Sequence, residues 1–524
     1  MYGTLCEAEL TDGRPMPKLP IVTCSARRGC PRHARRYIHL APGRKDLADP
    51  LEVCADHAHH IDQGDLTALT IAELGARLRQ GTLSPVAIVE ACLDRIEALD
   101  TRLHAFVTVT ADQARAAARA AERRIRNGGY RSGMDGIPFA IKDNIDTAGI
   151  RTTSNSRLLQ DHVPQENAHV VSLLEQAGAI VIGKVATWEF AQGGPCWDLP
   201  WPPPRNPWNV AHLAGGSSAG SGAAVAARQV PAALGTDTGG SLRYPAAVCG
   251  IVALKPTYGR TSRRGLHPNT FSLDHCGPMA RTVEDCALLL GAMAGHDPRD
   301  PASIDEPVPD YRGALTGDIS GLRIGLVRHW YAGVATPEVE AAMQGAVRTL
   351  ERLGAHVEEV RLDALQDYID CKTIIGLSEL YAVHEGDLKR QPHRFGRPFR
   401  KSIIAGALLR AEDYVQALRW RTELVTRMFA KFRQVDLLLT AGWMQEAEPY
   451  DPAAGSRFAH RPPITMPFSL AGNPVLSVPC GYTAAGLPLG LQLAARPFDE
   501  ATLLRAGDAF ERHHGMRGFT PPTL

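Results

Sequence analysis

Leu322-Arg-Ile-Gly-Leu-Val327 is a short apolar run between turn-forming residues, and it reads as a buried strand. Thr336-Pro337 follows it, a capping residue ahead of a proline at the first helical position, and opens a helix. His356 to Leu362 then reads as a second strand. Strand, helix and strand in that order make a crossover unit, and crossover units build α/β sheets. Toward the N-terminus, Ala179-Ile-Val-Ile-Gly183 is a further buried strand, in a region from Gly136 to about Gly250 where apolar runs alternate with Gly-rich turns. Thr70-Ile-Ala-Glu73 has the form of a capping box, and Ser84-Pro85 that of an N-cap before proline. Ala87 to Leu99 and Ala111 to Ile125 carry helical periodicity. Toward the C-terminus, residues 365–435 read as mostly helical. Asn473-Pro474 and Val478-Pro479 punctuate a strand-rich end, and a last helix covers Glu500 to His513.

The expected fold class is therefore α/β. One large α/β/α sandwich, with a central mixed, mostly parallel twisted sheet, is expected over residues 61–524. Residues 1–60 differ in composition: they hold four of the 11 cysteines and five of the 19 histidines. Cys24, Cys30, Cys54 and His57 could give three thiolates and one imidazole to a structural zinc, the kind of staple a small module with little apolar content needs. The competing reading is a polar extension with unpaired thiols. With four protein ligands, such a zinc would have no open position for chemistry.

Composition narrows the function classes. Hydrophobic content of 44% and charged content of 22% are those of an ordinary globular protein. A balance of 57 basic against 56 acidic residues gives no reason to expect a nucleic-acid or membrane partner. No run of about eighteen apolar residues is present. No secretory signal is visible. Cys92, Cys249 and Cys286 stand singly among apolar residues, as buried thiols do in a reducing, cytoplasmic setting.

The chemistry is carried by Gly215-Gly-Ser217-Ser218-Ala-Gly220-Ser-Gly222 and by Gly235-Thr-Asp237-Thr238-Gly239-Gly240-Ser241-Leu-Arg243. Two glycines directly before Ser241 let the backbone turn sharply and aim successive N–H groups at one spot, the nest that a tetrahedral oxyanion requires. A serine at that turn is placed to be a nucleophile but needs a base. Lys142, at the end of the apolar run Gly136-Ile-Pro-Phe-Ala-Ile-Lys142, is a candidate, because burial favours the neutral amine. Alone, it reads more readily as a surface lysine ending a strand. The Gly-rich stretch is not a P-loop, since no Lys-Ser/Thr follows it. Gly216 to Gly220 fits G-x-S-x-G, but Arg205-Asn-Pro-Trp-Asn ahead of it reads as loop, not as the strand that a nucleophile elbow demands.

These residues resemble the amidase signature family. The resemblance runs from about Leu66 to the end. It also includes Gly183-Lys184, Glu189-Phe190-Ala, Leu254-Lys-Pro256-Thr-Tyr-Gly259-Arg260, and Gly472 to Pro479. It implies an amidase that acts through an acyl-enzyme and needs no catalytic cofactor. Ser241 would be the nucleophile. Ser217, in a cis peptide linkage, would relay the proton to Lys142. Amides of Thr238, Gly239, Gly240 and Ser241 would form the oxyanion hole, with Ser218 and Asp237 in support. Two features depart from the family pattern: Ala219, and the stretch Leu439-Thr-Ala-Gly442-Trp443, where a Pro-Thr often ends the strand.

The expected substrate is a small aryl or alkyl amide, with esters and carbamates also in view, and a homo-oligomer is in view as the assembly. The alternative is the glutamine-hydrolysing component of a tRNA-dependent amidotransferase, which Gly235 to Gly265 resembles. A third reading is an interaction protein with a relic hydrolase core. Trp188, Trp197, Trp201 and Trp208 cluster in sequence and either line a pocket or pack under a proline-rich loop; Trp208 favours the second role.

Overall fold

Short apolar runs become strands along the chain: β1 (Phe106–Val109), β2 (Pro138–Lys142), β3 (Ile180–Val185), β4 (Arg205–Asn206), β5 (Asn209–Leu213), β6 (Ala232–Asp237), β7 (Val252–Lys255), β8 (His275–Ala280), β9 (Arg323–Leu326), β10 (His356–Glu359), β11 (Leu437–Ala441), β12 (Val475–Tyr482) and β13 (Pro488–Ala495). The helices that shape the site and its support are α1 (Ala219–Ala226), α2 (Arg243–Cys249), α3 (Val283–Met293), α4 (Pro337–Arg352), α5 (Leu365–Arg390), α6 (Met466–Ala471) and α7 (Glu500–His513). The computed structural model describes residues 65–452, 461–515 and 521. These fall in the compact unit Asp65–Leu524. The expected N-terminal module and its zinc ligands Cys24, Cys30, Cys54 and His57 lie outside the described residues.

The unit β9–α4–β10 is the expected crossover, with β9 and β10 parallel. Thr336 caps α4 by accepting from the Val339 amide. Thr70 and Glu73 make the capping box, and Ser84 caps the helix Pro85–Leu103.

Eleven strands form one mixed sheet in the order β1-β3-β2-β6-β8-β7-β12-β13-β11-β9-β10. Parallel pairing is confined to two blocks, β3-β2-β6 and β11-β9-β10. The ladders between these blocks, and the one joining β1 to β3, are antiparallel. The sheet is thus less parallel than the crossover reading predicts. The reason is connectivity: where the chain doubles back without a crossover, as in the turn from β12 to β13, it must pair antiparallel.

Helices cover both faces. Helices α2 and α7 both pack on β12 and β13. Ser477 Oγ of β12 donates to the Arg243 carbonyl of α2 at 3.3 Å. The adjacent Leu476 instead fills the space over Gly507 of α7. Neighbouring residues of a strand point to opposite faces, so the layers are helix, sheet and helix. Leu437, Leu438, Leu439, Leu491 and Leu493 are fully buried between them. Each such side chain contributes about 1.5–3 kcal/mol of burial.

Candidate active site

Parallel strands β2 and β6 run side by side and end at the same edge, β2 on Lys142 and β6 on Asp237. Ligand sites of open α/β sheets form at such carboxyl ends. Two loops meet there. One, Ala214 to Ser218, leads into α1, which packs on β6. The other, Thr238 to Leu242, joins β6 to α2. The Ser218 amide donates to the Ser241 carbonyl at 3.2 Å, so the two serine turns lie against each other.

Lys142 is fully buried. Its Nζ lies 2.7 Å from Ser217 Oγ and 2.7 Å from Thr236 Oγ1, with the Thr236 carbonyl at 3.5 Å. Burial lowers its pKa to about 7, although Asp237 and Asp274 pull the other way. Asn144 Nδ2 donates to Thr236 Oγ1 at 3.2 Å and fixes that hydroxyl. The Gly216–Ser217 peptide is cis. Trp188 lies directly on Gly216, where a Cβ would fall 2.0 Å from its ring, and the Trp188 amide donates to the Ser217 carbonyl at 3.2 Å.

The second loop is held by a buried ion pair. Asp237 accepts from Arg243 Nε and Nη2 at 3.0 Å each, from the Gly240 amide at 2.8 Å and from the Leu242 amide at 3.1 Å. Burial opposes its charge, but Arg243, together with Lys255 and His275, more than offsets burial and holds the carboxyl well below the usual range. Arg243 in turn reaches the Thr465 carbonyl, Ser469 and Gln492. Gly240 has φ 133°, and a Cβ there would fall 2.1 Å from Thr465 Oγ1.

The Gly240 amide donates to Asp237, whereas the amides of Thr238, Gly239 and Ser241 have no backbone acceptor among the described residues. Asp237 and Ser218 brace the loops and do not reach Lys142: Ser218 Oγ bridges the carbonyl and amide of Thr236 at 3.2 and 3.3 Å. A strand, β5, does precede the G-x-S-x-G stretch, against expectation. It pairs only with β4, outside the main sheet, and its would-be nucleophile Ser218 is fully buried. Ser241 is partly exposed. Its hydroxyl has no hydrogen bond to Ser217 among the described residues.

A family model described as Amidase matches residues 87–504. The chain belongs to the amidase signature family. It is 43% identical over 472 residues to a glutamyl-tRNA(Gln) amidotransferase subunit from Roseiflexus sp. (strain RS-1), with 85% of this chain and 96% of that one covered. A solved vestigial complex, tied to the origins of an s-triazine catabolic enzyme, has a similar chain: TM-score 0.79 and 35% identity, with 85% of this chain and 98% of that one covered. The native peptide amidase of Stenotrophomonas maltophilia gives TM-score 0.75 and 31% identity, with 86% and 98% covered. As an amidase signature hydrolase, the chain acts on carbon–nitrogen bonds.

Around this amidase signature site, three of the four tryptophans take different places. Trp188 braces the Ser217 peptide. Trp208 is buried and donates to the Cys249 carbonyl at 2.8 Å, a packing role. Trp197 packs edge-on against Tyr450. Sequence reasoning missed Thr236, Asp274 and Lys372. Thr238 Oγ1 donates to Asp274 at 2.5 Å, and burial raises that carboxyl to about 6. Asp274 and Lys372 come from distant segments and carried no local signal.

Proposed function

We propose that the chain hydrolyses an amide through an acyl-enzyme on Ser241, with Ser217 and Lys142 as its proton relay. The observation that supports this is the buried amine of Lys142 beside the Ser217 hydroxyl, 2.7 Å away. A neutral lysine has two N–H bonds and one lone pair. The Thr236 carbonyl and its anchored hydroxyl take the N–H bonds, which leaves the lone pair for the proton of Ser217. As Ser217 gives up that proton it takes one from Ser241, whose oxygen attacks the carbonyl carbon. The amides of Thr238, Gly239 and Ser241 then face the developing oxyanion. The proton returns through Ser217 to the nitrogen, the amine leaves, and water repeats the steps on the ester. The chemistry needs no cofactor.

Glutamine is the amide that the curated relatives favour, with this chain as the amidase component of an amidotransferase and further protein subunits as its partners. The stand-alone reading, a small-amide hydrolase, draws on the peptide amidase and on Trp443. This residue stands where the family's Pro-Thr often falls, and it stacks on Tyr244 with ring centroids 4.0 Å apart. A fluorophosphonate probe tests the chemistry: peptide mass spectrometry should find the adduct on Ser241, and an adduct elsewhere, or none, refutes the proposal. Ammonia release by the purified chain, with glutamine or with small amides, separates the two substrate readings.

A further inference from the structure

Lys372 lies on α5, in a segment that brings no other side chain to the reacting groups. It is 7% exposed. Yet among the described residues no hydrogen bond or ion pair engages its ammonium. Its position is fixed by two glycines. A Cβ on Gly239 would lie 3.4 Å from Nζ, and a Cβ on Gly376 would lie 3.2 Å from it. Gly239 belongs to the loop whose amides face the oxyanion, so the ammonium stands over the reacting carbonyl's own cradle.

The nearby carboxylates are committed elsewhere. Asp274 accepts from Thr238 Oγ1 at 2.5 Å and from the amides of Asn269 and Thr270 at 2.9 and 3.0 Å. Asp237 is taken by Arg243. Glu379 accepts from the amide and hydroxyl of Ser272 and from Tyr414. Burial works against the charge of Lys372, and these three carboxylates work for it from a distance. A buried cation without a bonded partner is costly unless something arrives to pair with it. Lys142 and Lys184 show the contrast, for each has its nitrogen saturated by neighbours.

We infer that Lys372 is a specificity residue that pairs with a carboxylate on the acyl part of the substrate. The inference rests on the catalytic reading above. In the glutamine-type reaction the leaving group is ammonia, which has nothing to carry an anion, so the carboxylate belongs to the acyl chain. The substrate class is then a primary amide of a short acid bearing a second, free carboxylate. Hydrolysis adds water across its carbon–nitrogen bond and releases ammonia.

Competition against fluorophosphonate labelling of Ser241 tests this without needing turnover or partner subunits. Succinamate, butanamide and β-alaninamide are anionic, neutral and cationic versions of one small amide. Succinamate should protect Ser241 at about 100-fold lower concentration than butanamide, the scale of a buried charge pair, and β-alaninamide should protect least. In K372M the succinamate advantage should fall toward one, and K372Q should repeat the loss, with melting temperature recording that each variant is folded. Equal protection by the three amides in the parent protein overturns the inference, as does an anionic preference that survives in K372M. Failure of the probe to label Ser241 in any form overturns the catalytic reading itself, a separate result.

Discussion

Lys142 and Lys184 are both fully buried, on neighbouring parallel strands, with amines pushed down to about 7 and about 8. They differ in what surrounds the nitrogen. Lys184 donates to the Ile145 carbonyl and to Thr152 Oγ1, with Asp143 at 3.8 Å. Those partners accept protons and gain from a charged lysine, so the group ties the loop after β2 to β3. Among the described residues Lys142 has no carboxylate at ion-pair distance, and the Ser217 hydroxyl beside it has its proton committed to no other acceptor, whereas the Thr147 and Thr152 hydroxyls beside Lys184 give theirs to the Ile145 and Ile150 carbonyls. Burial makes both lysines easier to neutralise. Only the second environment turns neutrality into a base.

The comparison breaks most visibly in activity. Lys142→Ala and Ser241→Ala should each lower kcat by about 10⁴-fold or more, as removal of a member of a catalytic set does. Their unfolding midpoints should stay near that of the parent. Lys184→Met should do the reverse, costing about 3–5 kcal/mol in urea unfolding because Asp143 is left buried and unpaired. Equal activity losses at equal stability in the two lysine variants would erase the distinction. Arg243→Met should resemble Lys184→Met: about 3–5 kcal/mol of stability is expected to go, because Asp237 loses the partner that keeps it charged.

The pH profile sharpens the same contrast on a smaller scale. The relay requires neutral Lys142, so kcat/KM should rise about tenfold per pH unit below pH 7 and level off above it. Stability follows the same group. Between about pH 7 and its ordinary 10.5, the unfolded chain holds a proton on Lys142 that the folded chain lacks. The unfolded state therefore binds more protons, and the contribution of Lys142 to stability rises with pH through that window. A profile without an inflection near pH 7, in a protein still labelled on Ser241, would remove Lys142 as the base.

Much of this was legible in the sequence because it is local. The Gly-Gly-Ser turn, the cap at Thr336 and the strand ending on Lys142 each depend on a few consecutive residues, and all formed where expected. The direction of the central ladders was not legible, since pairing depends on which distant strands meet. The donation of the Gly240 amide to Asp237 was hidden for a related reason: the acceptor is local, but the orientation of Asp237 is set by Arg243, whose own partners Thr465 and Gln492 lie more than two hundred residues away. Lys372 had no reading at all, because nothing in Cys371-Lys372-Thr373 shows that α5 passes over Gly239.

The smallest expected effect concerns a third kind of buried group. Trp443 is buried and stacked on Tyr244, which immediately follows Arg243. Its Nε1 has no hydrogen-bond partner among the described residues. An indole that contributes only area should tolerate replacement by another aromatic ring. In Trp443→Phe the stacking is kept and an unsatisfied N–H is removed, so stability should change by less than about 1 kcal/mol. Trp443→Ala, which opens a cavity behind the Arg243 helix, should cost about 3–5 kcal/mol. If Trp443→Phe instead alters KM for one amide far more than for another while the fold holds, the ring faces substrate as well as core. The pocket wall would then extend from the Gly239 loop to the end of β11, and amide selectivity would be shared between an aromatic face and the cation opposite it.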